Sequence, residues 1–180
     1  MPIKLTIIGA GPGGYVAAIR AAQKGAHVTV VEGAEVGGTC LNWGCIPTKT
    51  LIASAEALVR TRNAADFGIQ VSGQVSYNLA KIRERKDKVV STQIKGIRAL
   101  FKSWGVNLIE GRGSMLSPDT VRVVRKDSTL TDVKSDKVII ATGSRPAKLP
   151  GFPFDGESVI TSDEAIQLKD IPKSLLIIGA

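Results

Sequence analysis

The sequence predicts an α/β chain: a parallel sheet with helices on its faces and a small antiparallel β element. Three observations predict it. Short continuous apolar runs, as strands buried on both faces require, recur at residues 3–8, 27–31, 106–110, 137–141 and 174–178. Apolar residues at helical spacing fill much of the chain between them. Glycines stand where several of these runs end, above all in Gly9-Ala10-Gly11-Pro12-Gly13-Gly14.

The first run, 3–8, leads straight into that glycine turn, and a helix is expected over 15–24, closed by Gly25. A second strand, 27–31, ends at Glu32. Gly9, Gly11 and Gly14 fit G-x-G-x-x-G, a weak signal alone. Followed by helix, strand and terminal acid, it predicts a dinucleotide site of the Rossmann kind. Gly9 permits the tight turn, Gly11 lets backbone approach a pyrophosphate, and Gly14 lets helix and strand pack closely. The helix N-terminus receives the phosphate charge, and Glu32 is placed to accept from ribose hydroxyls.

Both cysteines lie in Gly37-Gly38-Thr39-Cys40-Leu41-Asn42-Trp43-Gly44-Cys45-Ile46-Pro47-Thr48-Lys49. Such a pair is a staple, a metal half-site or a redox switch. In regular helix the two Cα atoms would stand about 7.5 Å apart along the axis, whereas a disulfide needs about 4.4–6.8 Å. Bonding therefore requires a bend, which Gly44 allows. Pro47 suits the first turn of a helix over about 46–60, with Leu51, Ile52, Ala55, Leu58 and Val59 as its apolar side. That helix aims its positive end at Cys45 and favours a thiolate there, and Lys49 adds a second positive charge. Zinc wants four ligands, yet there is no third cysteine, and the lone His27 begins a strand; no metal site is expected. A staple closing so short a loop stabilises little. The pattern fits a reactive thiol pair best.

This block resembles the active-site segment of the class I pyridine nucleotide–disulfide oxidoreductases, FAD enzymes that include dihydrolipoamide dehydrogenase, glutathione reductase and mercuric reductase. The wording Cys-Leu-Asn-Trp-Gly-Cys-Ile-Pro-Thr-Lys is most similar to the dihydrolipoamide dehydrogenases. The resemblance implies that Cys40 exchanges with a dithiol substrate and that Cys45, nearer the flavin, passes electrons to it as a thiolate. Lys49 then stabilises reduced FAD near its N5 side, and NAD takes the hydride. The implied cofactor contacts are Gly9, Gly11, Pro12, Gly14, Glu32, Gly38, Thr39, Lys49, Gly113, Ala141, Thr142 and Gly143. Gly113 follows the strand 106–110, where the family's backbone contacts adenine; a simple strand-end turn is the competing reading. Ala141-Thr142-Gly143, after the strand 137–141, resembles the family's second FAD-contacting turn.

After the thiol helix comes a loop around 67–75, then a long basic helix over about 77–104 that stops at Gly105. Residues 120–125 and 131–134 suggest the antiparallel element. Residues 146–156 read as an irregular connector, and a short helix begins near Ser162 or Asp163 as N-cap. Ile177-Ile178-Gly179-Ala180 repeats Ile7-Ile8-Gly9-Ala10 letter for letter. Residues 1–145 are thus expected to form the FAD domain, 146–170 a connector, and 171–180 the opening strand of an NAD domain. The chain is expected to be the N-terminal part of a longer polypeptide, inactive alone. The family's histidine base lies elsewhere and comes from a partner subunit; His27 is expected to be structural.

Composition sets the remaining bounds: 43% hydrophobic and 22% charged residues, an ordinary globular balance. No apolar run approaches the roughly 20 residues of a membrane span, and no leader is evident, so a cytoplasmic protein without membrane contact is expected. The net charge of +8 gathers on the long helix, where eight basic residues face two acidic ones between 77 and 102. A solvated basic face is the plain reading, an acidic protein partner the sharper one. Nucleic acid is disfavoured by the scarcity of stacking aromatics, 4% of the chain. By resemblance the whole protein takes a small-molecule or lipoyl-domain dithiol, joins a 2-oxo acid dehydrogenase complex and forms a homodimer. Glutathione or mercuric reductase, a non-catalytic flavin-binding module, and an interaction protein using the basic helix are the alternatives.

Overall fold

In a computed structural model that describes residues 1–147 and 150–179, four parallel strands run in the order β3-β2-β1-β7. They are β1 (Lys4–Ile8), β2 (His27–Glu32), β3 (Asn107–Glu110) and β7 (Lys137–Ile140). Register is carried by runs such as Thr6 opposite Thr29 and Val138, and Ile7 opposite Val30 and Ile139. Side chains alternate across a strand, and here the alternation decides which layer each residue joins. Ile7, Val28 and Val30 turn to the helices and meet Ala18, Leu41, Ile97 and Phe101. Ile8, Val31 and Ile109 turn the other way onto Val121 and Val123. The helices therefore gather on one face, and a three-stranded antiparallel sheet covers the other.

That sheet consists of β4 (Arg112–Ser117), β5 (Thr120–Val124) and β6 (Leu130–Lys134). The sequence reading anticipated β5 and β6 but missed β4, whose Arg-Gly-Ser-Met-Leu-Ser has no alternation and which pairs with β5 across an irregularity at Met115–Ser117.

The helices are α1 (Pro12–Gln23), α2 (Gly38–Asn42), α3 (Cys45–Arg62) and α4 (Leu79–Ser103), with a 3-10 turn at Ala64–Phe67 after α3. The single turn α2, between the expected strand and helix, was not anticipated. The face of α3 also differs from expectation. Pro47 and Thr50 are its buried residues, while Ile52, Ala55 and Val59 are exposed. Packing against α4 takes the Thr50 side, and the Arg85 guanidinium donates to the Thr50 carbonyl at 3.1 Å. His27 opens β2 as expected but is exposed.

The basic helix α4 is not simply solvated. It is capped by Asn78, whose side chain accepts from the Lys81 N–H. Lys86 is buried to 1% exposure, and Arg98 pairs with Glu110. Lys86 Nζ donates to Gln167 Oε1 at 3.0 Å and to the Ile166 carbonyl at 3.4 Å, and lies 2.8 Å from Asp87. It ties the connector to the body of the domain. The short helix α5 (Ser162–Ala165) begins there, with Thr161 rather than Ser162 or Asp163 as N-cap; Thr161 and Glu164 form a reciprocal capping box.

One expectation changes beyond this point. Of the irregular connector, residues 148 and 149 lie outside the described residues, as does Ala180. Residues 174–178 form no strand: Leu175–Ile178 are unpaired and well exposed, Ile177 at 73%. A run so apolar becomes a buried strand only with neighbours on both edges, and no strand among the described residues flanks it.

Candidate functional site

The site is assembled at the C-terminal edge of the parallel sheet, where β1 and β7 lie side by side and their following segments part. In an open α/β sheet this switch point is where ligands bind. Three stretches far apart in sequence meet there.

The first is the glycine turn. Gly9 has φ +105°, and a Cβ on it would strike the Ala141 carbonyl. It is fixed by its N–H to the Val31 carbonyl at 2.7 Å, while Ala141 N–H bonds the Ile8 carbonyl at 2.8 Å. Gly14 is buried under the turn, and a Cβ there would collide with the Gly9 carbonyl. Gly11 is the N-cap of α1 without any side-chain cap, Pro12 follows at the first helical position, and the first turn holds no acid. The free N–H groups of that turn and the positive helix end stay available to an anion.

The second is the cysteine segment. Gly37 N–H donates to the Ala10 carbonyl at 2.9 Å. Gly38, at φ +61°, comes so close to the turn that a Cβ on it would stand 2.6 Å from Gly11 Cα. Asn42 locks this approach: its Nδ2 donates to the Val36 carbonyl at 3.1 Å and to the Gly38 carbonyl at 3.0 Å. Sequence reasoning missed Asn42, because an amide between two cysteines carries no signal of what it will bond.

Cys40 ends up half-buried on α2, and Cys45 is exposed as the first residue of α3. The two sulfurs are not bonded to each other in this structure. The Cys40 thiol is held above its ordinary value of 9.0, first because it donates a hydrogen bond to the Cys45 side chain, then by desolvation and by the charge on Cys45. A Cys45 backbone hydrogen bond and the nearby Lys49 charge oppose this. The raised value keeps the proton on Cys40, and the Cys45 sulfur stands at the N-terminus of α3. Lys49 is exposed one turn along α3, and Thr39 is exposed on α2.

The third stretch is Ala141-Thr142-Gly143 after β7. Ala141 is half-buried against Gly9, and Thr142 and Gly143 are exposed beside it.

Two predicted contacts take on structural work. Glu32 uses Oε2 to accept the Ala10 N–H at 2.6 Å and Oε1 to accept the Ala34 N–H at 2.7 Å. It braces the turn, with the other lone pairs of a carboxylate still available to a hydroxyl. Gly113 lies in β4, where a Cβ would meet Val31 at 3.0 Å, Ile8 at 3.1 Å and Val121 at 3.4 Å. Packing between the two sheets accounts for the missing side chain. Among the described residues, no cluster of His, Cys, Asp or Glu could hold a metal ion. Among them, too, no helix is long and apolar enough to cross a membrane.

The residues fit a dinucleotide. Side chains are excluded by Gly9 and Gly14 beneath the turn, the helix end carries no side-chain cap, and the segment with the thiol pair is hydrogen-bonded to the same turn through Gly37. This defines a nucleotide-binding α/β fold that carries a dithiol beside its phosphate turn. The chain belongs to the pyridine nucleotide-disulphide oxidoreductase family, whose model matches residues 3–180. Relatives include a dihydrolipoyl dehydrogenase of Bacillus subtilis, 45% identical over 97% of this chain and 38% of that protein. Another, from Chlamydia trachomatis, is 44% identical over 96% of this chain and 37% of its own length. The solved structure of LpdA from Mycobacterium tuberculosis superposes with a TM-score of 0.85 at 30% identity, covering 94% of this chain and 38% of that one. The chain therefore spans well under half the length of the relatives it matches.

Proposed function

We propose that this chain is the FAD-binding, thiol-bearing part of a dihydrolipoyl-dehydrogenase-type oxidoreductase that moves electrons from a dithiol to NAD. One observation carries the reading: the glycine turn, the cysteine segment and the Ala-Thr-Gly turn meet at one sheet edge, the first two in backbone contact through Gly11 and Gly38. The names of the relatives favour a dihydrolipoyl substrate over glutathione or mercury.

FAD, when bound, supplies a two-electron acceptor for thiols that can return those electrons to a nicotinamide. The turn Gly9–Gly14 with Pro12 receives the pyrophosphate, Glu32 the ribose hydroxyls, and Gly38, Thr39, Lys49, Ala141, Thr142 and Gly143 line the remainder. Gly113 takes part through its backbone alone. In the oxidised pair, a substrate thiolate attacks Cys40, the Cys40–Cys45 bond breaks, and Cys45 leaves as a thiolate. The second substrate thiolate then displaces Cys40, closing the substrate disulfide, and Cys40 takes up a proton. Exchange of this kind needs a good leaving thiolate. The raised Cys40 value and the helix end at Cys45 supply that polarity. Membership in a 2-oxo acid dehydrogenase complex and a homodimeric whole protein belong to the same reading.

The test is the visible spectrum of the chain with FAD during anaerobic titration with dihydrolipoamide. A bound-flavin spectrum that gains long-wavelength absorbance as the pair is reduced supports the proposal. Bound flavin that never gains it marks a plain flavin-binding module and overturns it.

A further inference from the structure

The outer face of α4 is not used by the site. Lys81, Lys88, Lys95 and Lys102 recur at an interval of seven residues. Seven residues are two turns less about 20°, so the four form one gently drifting stripe over roughly 32 Å, with successive charges about 10.5 Å apart along the axis. All four are exposed, and none forms an ion pair among the described residues. The stripe lies opposite the buried Lys86, Ile97 and Phe101.

Helix stability explains at most half of it. Pairs that stabilise an isolated helix join opposite charges three or four residues apart, as Glu84 stands to Lys81 and Lys88, yet from Lys88 to Ser103 there is no acidic residue, so Lys95 and Lys102 have no such neighbour on α4. Lys81 sits in the first turn, where no acid is present and where the macrodipole disfavours a cation. A face serving only solubility mixes both signs along its length, whereas past Glu84 this one carries no acidic residue. At about 10 Å, near the Debye length, the lysines barely repel one another in salt, while their fields add for a long anionic partner.

We infer that this lysine stripe is a docking surface for an acidic protein, one presenting carboxylates at two-turn intervals along a helix or extended edge. A lipid surface fits less well, because an interfacial helix buries its apolar face in the membrane, and α4 has turned that face onto α1, α2 and the sheet. Nucleic acid would want stacking aromatics along the stripe, and the exposed aromatics near it, Tyr77 and Trp104, lie beyond its two ends.

The probe is a labelled alanine-based helical peptide with four glutamates seven residues apart, compared with a shuffled peptide of equal composition. The whole chain should bind the first more tightly, with affinity falling as salt rises. Replacing all four lysines by glutamine (K81Q/K88Q/K95Q/K102Q) should weaken binding about tenfold, as the loss of four exposed pairs implies. The corresponding arginine variant should retain binding and show that the helix is intact. A control removing equal charge elsewhere (K24Q/K126Q/K137Q/K169Q) should stay within about twofold. Equal loss in the control, equal binding of the shuffled peptide, or no peptide binding would overturn the proposal. So would a stripe-dependent preference for oligo-dT or phosphatidylserine vesicles over the peptide.

Discussion

The half of the chain around β1 and the connector, described from 150 to 170, are held by different forces. Around β1, backbone is pressed on backbone: Gly14 under Gly9, Gly38 against Gly11, Ile7 and Val30 wholly buried. The connector has almost no core of its own. Asp155 accepts three backbone N–H groups, Thr161 and Glu164 cap α5, and Lys86 holds Ile166 and Gln167 from outside. Close packing tolerates no added atom, whereas polar tethers yield one at a time. The cysteine segment is joined to the first kind of structure through Gly37 and Gly38, which under the proposed function would hold the thiol pair in place beside a cofactor.

The largest break in this comparison is Gly14→Val. The side chain has no room beneath the Gly9 carbonyl, and overpacking of this sort costs about 3 kcal/mol. Denaturant unfolding should show that loss, and flavin fluorescence should show no FAD binding. Stability and binding that both stay unchanged would mean the turn is not close-packed.

Lys86→Met should come next and act elsewhere. Hydrogen bonds to a charged group contribute about 1.5–3 kcal/mol, here between α4 and the connector. Hydrogen exchange at amides 161–167 should rise while the β1 and β2 amides stay protected. Equal acceleration in both regions would erase the distinction.

Acid should produce the smallest effect. The Asp155 carboxyl is held below its usual range by the N–H groups of Val159, Glu157 and Ser158, and Glu164 by Thr161. Groups depressed in the folded state stabilise it above their unfolded values, and that contribution is lost as pH falls through the lower folded ones. Limited proteolysis from about pH 5 downward should therefore cut the connector first. Cleavage beginning in the parallel sheet would contradict this.

Much of the first kind of structure was legible in the sequence, and little of the second. Strand, glycine turn, helix and terminal acid are fixed by neighbours in the chain, so β1 through Glu32 could be read directly. The thiol pair carried its own signature. What failed depends on partners distant in sequence. Nothing in Arg112–Ser117 announces β4, because β5 supplies the pairing. Residues 174–178 read as a buried strand on apolarity alone, but a strand needs neighbours. At Gly113 the close packing of Val31, Ile8 and Val121 around the missing side chain was equally invisible. Lys86 could have been noticed: it sits in phase with Ile82, Val90 and Ile97 on the apolar side of α4, where a lysine must find an internal partner.

The proposed function places Cys45 rather than Cys40 against the flavin, and a pair of single variants tests this most directly. FAD would be added to Cys40→Ser and to Cys45→Ser near neutral pH, without reductant, and the visible spectra compared. Long-wavelength absorbance from a thiolate against the flavin is expected in Cys40→Ser and none in Cys45→Ser. The same band in Cys45→Ser, with none in Cys40→Ser, would place Cys40 against the flavin and contradict the proposal.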